Sequence, residues 1–444
     1  MKKLLLLSFL ALGFTSQAQY WEAKATGFST ASTGVNEIRW VDANNVWITG
    51  YDGSGGGAQF QVFSKSTDGG NTWTAGPINL GNTNLGIGGL FPLSSTVAYV
   101  AAFPNTTTVQ GGIWKTVNGG STWTKQPSAS YNTGTDSFTN MVYFWDANNG
   151  VTAGDPAGGY FEIYTTTNGG TNWVRVPSSN IPAPLDGEYG YTRIFETAGT
   201  RIWLGTNKGR LLRSDDMGLH WVVFQTPNTD FGDADLGANF TFQDNNTGLM
   251  IFNDFSQYST TDGGATWTLD APEGAIRSGD VTYVPGFPNT LVSIGEDPVE
   301  GVRGTSYSLD NGATWTDLGQ AVDAVSAVEF YDGTHGLASG FTASTTVGGI
   351  YKWIDDVANL ASVNFASAKT ISATPNPTTG ILNVVGKSIN NIAVYDLLGK
   401  QVSNTNYSTL SNVALNLSSL NAGVYMVQVT NDLGASSTIK VVKQ

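Results

Sequence analysis

The strongest constraint on the fold is an eight-residue segment, ending in tryptophan, that occurs six times in this chain. The copies are STDGGNTW at 66–73, TVNGGSTW at 116–123, TTNGGTNW at 166–173, SDDMGLHW at 214–221, TTDGGATW at 260–267 and SLDNGATW at 308–315. Successive tryptophans are 46 to 50 residues apart. A repeat of this period is typical of propellers and solenoids, in which one supersecondary unit is copied along the chain.

Each recurring position of the segment has a physical role. Asp or Asn at the third position can accept hydrogen bonds from backbone N–H groups and hold a tight turn. Gly at the fifth position allows a positive φ without steric cost. The tryptophan opens a strand and is large enough to fill the space between two stacked sheets. We therefore expect structural roles for Asp68, Trp73, Asn118, Trp123, Asn168, Trp173, Asp216, Trp221, Asp262, Trp267, Asp310 and Trp315.

The segment resembles the Asp-box, or bacterial neuraminidase repeat, whose pattern is S/T-x-D-x-G-x-T-W. The copies at 66–73, 260–267 and 308–315 match the whole pattern. The others depart from it, because Asn118 and Asn168 replace the aspartate and His220 replaces the threonine. The resemblance implies a β-propeller. It implies little about function, because the box is a structural turn.

Strand-like runs precede each box in a recurring order. Near the start, the runs 38–41 and 46–49 flank a polar turn, and 60–65 leads into the first box. Four strands with short polar turns are typical of a propeller blade. The pattern predicts an all-β fold with seven blades, of which the last, at 326–353, has three strands and no box. We expect residues 20–25 to supply its missing outer strand, since closing the ring removes an open sheet edge.

The connections between strands divide between two faces of such a fold. In an antiparallel meander all six boxes lie on one face, and the longer, irregular connections lie on the other. Ligand-binding residues are common on such connections. The candidates for ligand binding are Asp155, Glu188, Tyr189, Arg193, Asp254 and Glu296. The alternative is that the acidic connections only keep an exported protein soluble.

The charge balance and the missing residue types narrow the possible partners. The net charge of −14 argues against nucleic acid, which needs a basic surface. The chain has no cysteine and only two histidines, so disulfides and thiolate metal sites are excluded. One carboxylate per box is also far short of the roughly 6–8 oxygens that Ca²⁺ takes. We expect no metal, no cofactor, a monomer, and an extracellular protein or glycan as partner.

The N-terminus predicts export. Two lysines precede an apolar run at 4–14, and Ser-Gln-Ala follows at 16–18. This pattern predicts a signal peptide at 1–18. A membrane anchor is the disfavoured alternative, because the run is shorter than the roughly 20 residues that span a bilayer. No later segment predicts a transmembrane helix. The propeller is expected at 19–354 and a linker at 355–370.

The C-terminal residues 371–444 form a separate module. Alternating apolar residues and regular turns predict a small β-sandwich. The runs PNPTTG at 375–380, VYDLLGK at 394–400 and LNAGVYMVQV at 420–429 resemble the type A sorting domain of the type IX secretion system of Bacteroidota. This resemblance implies export across the outer membrane, with the secretion machinery and its sortase as partners. The product would be secreted or held at the outer-membrane surface. An ordinary adhesive sandwich domain is the alternative.

Two enzyme families share the Asp-box. Sialidases, as that resemblance implies, need three arginines and have six blades, whereas arginine is sparse here and no Phe-Arg-Ile-Pro segment occurs. Xyloglucanase-type glycosidases use two carboxylates across a cleft, about 6.5–9.5 Å apart for inversion. They pair two propellers, whereas this chain has one. Photosystem-assembly-factor-like propellers carry similar boxes and bind proteins. We hypothesise a binding or scaffold propeller for protein or glycan, with glycoside hydrolysis by paired carboxylates as the alternative. No catalytic residue is assigned.

Overall fold

The computed structural model describes residues 19–57, 59–129, 131–132, 136–296, 301–320, 322–324, 326–360, 372–396, 399–431 and 436–444. The chain divides into two compact units between Asp355 and Asp356. The predicted signal peptide at 1–18 and most of the predicted linker lie outside the described residues.

The first unit consists of strands in antiparallel groups of four, with one short 3₁₀ turn at Ser178–Asn180 among its described residues. A second short 3₁₀ turn, Val357–Asn359, lies at the start of the second unit. Strand β1 (Trp21–Ala25) pairs with the last strand of this unit and is described with that strand below. The first four groups are β2 (Thr33–Trp40), β3 (Val46–Asp52), β4 (Val62–Ser66) and β5 (Thr74–Pro77); β6 (Leu85–Pro92), β7 (Ala98–Pro104), β8 (Gly112–Thr116) and β9 (Thr124–Lys125); β10 (Thr139–Phe144), β11 (Gly150–Pro156), β12 (Phe161–Thr166) and β13 (Val174–Arg175); and β14 (Gly190–Ala198), β15 (Arg201–Thr206), β16 (Arg210–Ser214) and β17 (Val222–Gln225).

The later strands continue the pattern. They are β18 (Ala238–Phe242), β19 (Gly248–Phe252), β20 (Gln257–Thr260) and β21 (Thr268–Leu269); β22 (Glu273–Gly274), β23 (Asp280–Tyr283), β24 (Leu291–Glu296), β25 (Arg303–Ser308) and β26 (Thr314–Asp317); and β27 (Val328–Asp332), β28 (His335–Ser344) and β29 (Val347–Trp353). Strand β22 adds a parallel edge to the sixth group. The first strands of successive groups contact one another in order, and β27 of the last group contacts β2 of the first.

The box turn is held by its own side chains. In the first box, Asp68 Oδ1 accepts a hydrogen bond from the Thr72 N–H at 2.8 Å, and Ser66 Oγ accepts one from the Gly70 N–H at 2.8 Å. Where asparagine replaces aspartate, Asn118 Oδ1 accepts from the Thr122 N–H at 3.0 Å. The turn needs only one acceptor oxygen at the third position, and an amide supplies it as well as a carboxylate does.

The box tryptophans pack between neighbouring groups. Trp123 shares a core cluster with Trp47 and Phe63 of the preceding group, and its ring meets Phe63 edge-on at 6.1 Å. Trp173 likewise packs with Tyr99 of the preceding group. The other four box indoles occupy equivalent clusters. The hydrophobic core of this unit is therefore a series of layers, each shared by two adjacent sheets.

Polar contacts also join adjacent groups at the boxes. Lys115, directly before the second box, donates to the carbonyl of Gly169 in the third box at 2.9 Å. Tyr99 donates to the same carbonyl at 2.8 Å, with the Lys115 ammonium 5.0 Å from its ring centre. Lys65 makes the matching bond to the Gly119 carbonyl at 3.0 Å. Each lysine therefore links the third strand of its own group to the box of the next group.

The expected pairing of residues 20–25 with the last strand is confirmed. Strand β1 pairs antiparallel with β29, with Trp21 opposite Trp353. Trp21 is fully buried, and its indole N–H donates to Thr305 Oγ1 of the preceding group at 3.0 Å. Trp21 therefore takes the place that a box tryptophan holds in the other groups.

The second unit is built from β30 (Ser372–Thr374), β31 (Ile381–Tyr395), β32 (Gln401–Asn416), β33 (Gly423–Asn431) and β34 (Ser436–Lys443). Strand β31 is long enough to pair with β30 at one end, with β33 at the other and with β32 along its length. Its alternating apolar residues meet those of β33 in a separate core that includes Leu382, Ile392, Val427 and Val441.

Candidate functional site

Three of the predicted ligand-binding residues line one cavity of about 610 Å³. Asp155, Glu188 and Tyr189 border it, together with Pro104, Asn105, Thr106, Thr107, Asp136, Ser137, Phe138, Pro156, Pro184, Leu185 and Gly187. These residues lie at the ends of the second strands β7 and β11, or in connections that follow second strands or join groups, and so lie on the face opposite to the boxes. We call this space the Asp155 cavity. Its volume is in the range of small-ligand sites, roughly 300–1,000 Å³.

Asp155 is a half-buried carboxylate near the end of β11. Its Oδ1 accepts hydrogen bonds from Asn140 Nδ2 at 2.7 Å and from the Gly190 N–H at 3.0 Å. Burial raises the pKa of Asp155 to about 6, because removal from water disfavours the charged form more than these two bonds favour it. The side chain is therefore protonated below that pH and carries a charge above it.

Glu188 has a different environment. Its carboxylate forms an ion pair with the Arg210 guanidinium, which donates through Nε at 2.9 Å and also through its Nη2 group. Thr206 Oγ1 donates to Oε1 at 2.7 Å, and the Leu185 N–H donates to Oε2 at 2.8 Å. Although burial opposes ionisation, these bonds together lower the pKa of Glu188. Glu188 shapes the connection before β14, with its acceptor positions already occupied.

Tyr189 supplies an exposed aromatic surface at the same cavity. Its side chain is 42% exposed, and its ring meets Tyr191 edge-on at 5.4 Å. Tyr191 is anchored by a hydrogen bond to Asp230 Oδ1 at 2.6 Å. Tyr189 is thus held against a fixed neighbour while one side faces solvent.

The remaining predicted residues lie elsewhere. Arg193 is inside β14 and borders two other cavities, of about 230 and 260 Å³. Asp254 is exposed in the turn after β19, where it accepts from the Ser256 N–H at 2.9 Å. Glu296 ends β24 and pairs with Arg303 at 3.2 Å. Neither Asp254 nor Glu296 lines the Asp155 cavity.

A cluster of charged side chains lies on the first strands, and of its members only Arg193 was predicted from the sequence as a ligand-binding residue. The cavity of about 260 Å³ is bordered by Glu37, Arg39, Arg193, Glu196, Asp280 and Glu329. Arg39 pairs with Glu37 at 3.2 Å. Burial raises the pKa of Asp280 to about 7 and that of Glu329 to about 7, and it raises the pKa of Glu196 as well. Charged residues within first strands of a chain that is only 13% charged were an available signal.

Within the described chain, no group of three or more His, Asp or Glu residues lies close enough to hold a metal ion. Nor does that part contain a helix long and apolar enough to cross a membrane.

Residues 372–444, which lie within the second unit, match the family model described as a secretion system C-terminal sorting domain. The chain ends in a type IX sorting domain. The resemblance of the three C-terminal motifs to that domain is confirmed, and the sorting domain directs the protein to the cell surface or the extracellular space.

The propeller fold is also confirmed by solved structures. A structure described as YCF48 bound to D1 peptide has a TM-score of 0.52 and 15% identity, over 76% of this chain and 98% of its own. YCF48 from Cyanidioschyzon merolae has a TM-score of 0.51 and 14% identity, over 76% and 99%. A GH74 xyloglucanase from Xanthomonas campestris has a TM-score of 0.49 and 14% identity, over 84% and 60%, a likeness too distant to support an argument. None of the curated proteins matches this sequence.

Proposed function

We propose that the mature protein is an exported seven-bladed propeller that binds an extracellular protein or glycan on the face opposite to its boxes. Two features support seven blades. The first group (β2–β5) and the last group (β27–β29 with β1) are joined into one eight-stranded sheet by the single Gly34–Phe341 pair, so they count as two blades. The first strands also contact their neighbours in a closed order. The Asp155 cavity is the centre of the proposed binding face.

The hydrogen bonds of Glu188 and Asp155 are the observation that favours binding over hydrolysis. Inverting and retaining glycosidases both need two carboxyl groups free to act on the substrate. Glu188 is engaged by Arg210, Thr206 and a backbone N–H, so it has no free position for a water or a sugar. Asp155 uses one oxygen in bonds to Asn140 and Gly190. Its other oxygen remains for a ligand.

The structural comparison favours a protein ligand. The described YCF48 structure has a similar fold and contains a bound D1 peptide. The Asp155 cavity has proline and aromatic walls beside polar groups, which suit either a peptide or a saccharide. The peptide bound in the YCF48 structure is the reason for preferring a protein ligand.

Glycoside hydrolysis is the second candidate. It is favoured by the raised pKa of Asp155, about 6, at a cavity that Asp136 also borders. A carboxyl group with such a pKa suits general acid catalysis near neutral pH.

The test is binding of the mature protein to arrays of polysaccharides and of immobilised peptides. Asp155→Asn should weaken the binding about tenfold or more, because hydrogen bonds to charged groups contribute roughly 1.5–3 kcal/mol. Asp235→Asn, an exposed change on the same face outside the cavity, is the matched control. Equal binding by the wild type and Asp155→Asn would refute this site. New reducing ends from any polysaccharide, lost in Asp155→Asn, would establish the second candidate instead.

A further inference from the structure

Arg193 lies where β14 leaves its regular pairing. The register between β14 and β15 shifts between Gly190 and Phe195, so the intervening residues are outside the regular ladder. Arg193 has a φ of 65°, a conformation that costs a residue with a Cβ about 1 kcal/mol or more. Backbone strain of this kind concentrates at binding and catalytic sites. The conformation places the arginine at the boundary of two cavities.

The guanidinium of Arg193 has few direct hydrogen-bond partners among the described residues. Its contact with the Ile87 carbonyl is long, at 3.5 Å, and no ion pair of Arg193 is found in the described part of the chain. The nearby Glu37 is already engaged by Arg39 at 3.2 Å and by the Leu90 N–H at 2.8 Å. Burial lowers the pKa of Arg193, yet a guanidinium stays protonated in proteins. Most of its five N–H donors are therefore available to an anion.

The cavity of about 230 Å³ beside Arg193 offers room for such a group. Its walls include Tyr51, Phe60 and Phe103, with Asn36 and Gln59 as polar groups. Asp52 also borders it, but that carboxylate accepts bonds from the Ser54 N–H at 3.0 Å and from Ser54 Oγ at 2.5 Å. We call this space the Arg193 cavity.

The Arg193 and Asp155 cavities are neighbours. Phe103 borders the first, Phe138 borders the second, and the two rings stack at 4.5 Å. Pro104 directly follows Phe103 and lines the Asp155 cavity. The stacked pair therefore connects the walls of the two cavities.

We propose that the two cavities form one site for a polypeptide, with a peptide carboxylate on Arg193 and a basic group on Asp155. This inference rests on the proposed binding function and decides between its two ligand classes. A neutral glycan brings neither charge, and an acidic glycan brings no cation to Asp155. A peptide carries both signs on one chain, and guanidinium–carboxylate pairs form two parallel hydrogen bonds.

The test uses synthetic peptides with an N-acetylated lysine at one end and phenylalanine at the other, joined by glycine spacers of increasing length. Each peptide is made with a free terminal carboxylate and as the amide, and a third set ends in aspartate amide. Calorimetry with the full mature protein should show that a carboxylate peptide binds about ten- to a hundredfold more tightly than its amide. Preference for the aspartate set would assign the carboxylate to a side chain, and preference for the free acid to the chain terminus.

Variants assign that preference to Arg193. Arg193→Gln should remove the difference between acid and amide, whereas Arg193→Lys should keep part of it and shows that the fold tolerates the change. Lys208→Gln removes a cation from the same group outside both cavities and should keep the whole difference. Binding of the lysine end should weaken below pH 6, as Asp155 becomes protonated.

Three results would overturn the proposal: equal affinity for acid and amide in the wild type, an undiminished difference in Arg193→Gln, or no binding of any peptide in the series. If polysaccharide binding is lost in Asp155→Asn while no peptide binds, the proposed function stands and this inference fails. If neither arrays nor peptides depend on Asp155, both fail.

Discussion

At the scale of single residues, the most unusual feature is the number of carboxylates on the first strands of the groups. Glu196, Asp280 and Glu329 border a cavity that also contains Arg39 and Arg193. Asp280 is anchored by the N–H groups of Val281 and Val328, both at 2.9 Å. Glu329 has weaker support, because Arg39 already pairs with Glu37. Ionising Glu329 should therefore destabilise the folded protein.

Glu329→Gln is predicted to stabilise the protein in a pH-dependent way. The pKa of Glu329 is raised to about 7 by burial and by Asp280, against the opposing effect of Arg39. Glu329 stays protonated in the folded protein up to about pH 7, whereas in the unfolded chain it ionises near pH 4. The free energy of unfolding of the wild type therefore falls as the pH rises from about 4 to 7. Urea unfolding should show equal stability at pH 4 and a gain for the variant on the order of 1 kcal/mol at pH 8. Glu273→Gln, at an exposed site, is the control, and a gain that does not vary with pH would contradict the prediction.

At the scale of the element, the box combines a local turn with an interface. The turn is closed by bonds within eight residues, such as the one from Thr72 N–H to Asp68. The tryptophan at its end packs against the preceding group, as Trp123 does against Phe63. Lys115 and Tyr99 then bond the Gly169 carbonyl of the next box. One short segment therefore determines both the hairpin and the spacing between adjacent sheets.

Trp123→Ala is predicted to lower the free energy of unfolding by about 3–5 kcal/mol, because it empties a large volume between two groups. Trp123 is 9% exposed and part of the cluster of Trp47 and Phe63. Val117→Ala lies in the same box but at a position that is 65% exposed, so it should change stability little. Denaturant unfolding of both variants measures the difference, and a cost below about 1 kcal/mol for Trp123→Ala would show that the indole does not support the interface.

At the scale of the whole molecule, the last group is completed from the other end of the chain. β1 pairs with β29, and the Gln320 side chain accepts from the Tyr20 and Trp21 N–H groups at 2.9 and 3.0 Å. Trp21 also contacts the rings of Phe330 and Trp353. These contacts span about 300 residues of sequence, so they join the first and last parts of the unit and cover the edge of β29.

Trp21→Ala is predicted to loosen this closure. The change should lower the melting temperature. It should also increase hydrogen exchange at the β29 amides, because their hydrogen bonds to β1 open more often. Glu22→Ala alters an exposed residue of the same strand and should leave both measurements nearly unchanged. If the β29 amides of Trp21→Ala exchange at the same rate as in the wild type, β1 contributes little to the stability of the unit.

Much of the architecture was predictable because it is encoded in short segments. The six boxes, their acceptor residues and the strands before them depend on neighbours within a few positions, and the indole of Trp21 marked the closing strand. The sorting-domain motifs were likewise contiguous. The candidate site was predictable only in part. Asp155, Glu188 and Tyr189 do line one cavity, but Arg193 borders others and Asp254 and Glu296 stand apart. Spacing along the chain does not report how connections from different groups converge.

The sequence by itself determined the repeating turn, the all-β architecture and the export module, because turn chemistry and alternating hydrophobicity act locally. Only the tertiary structure decided which carboxylates remain available to a ligand. Glu188, in the connection before β14, meets Arg210 at the start of β16. Asp155 is left partly buried with a raised pKa, and the Arg193 guanidinium is left with one long contact. Charge compensation depends on distances between residues far apart in sequence, and those distances exist only after the groups have packed.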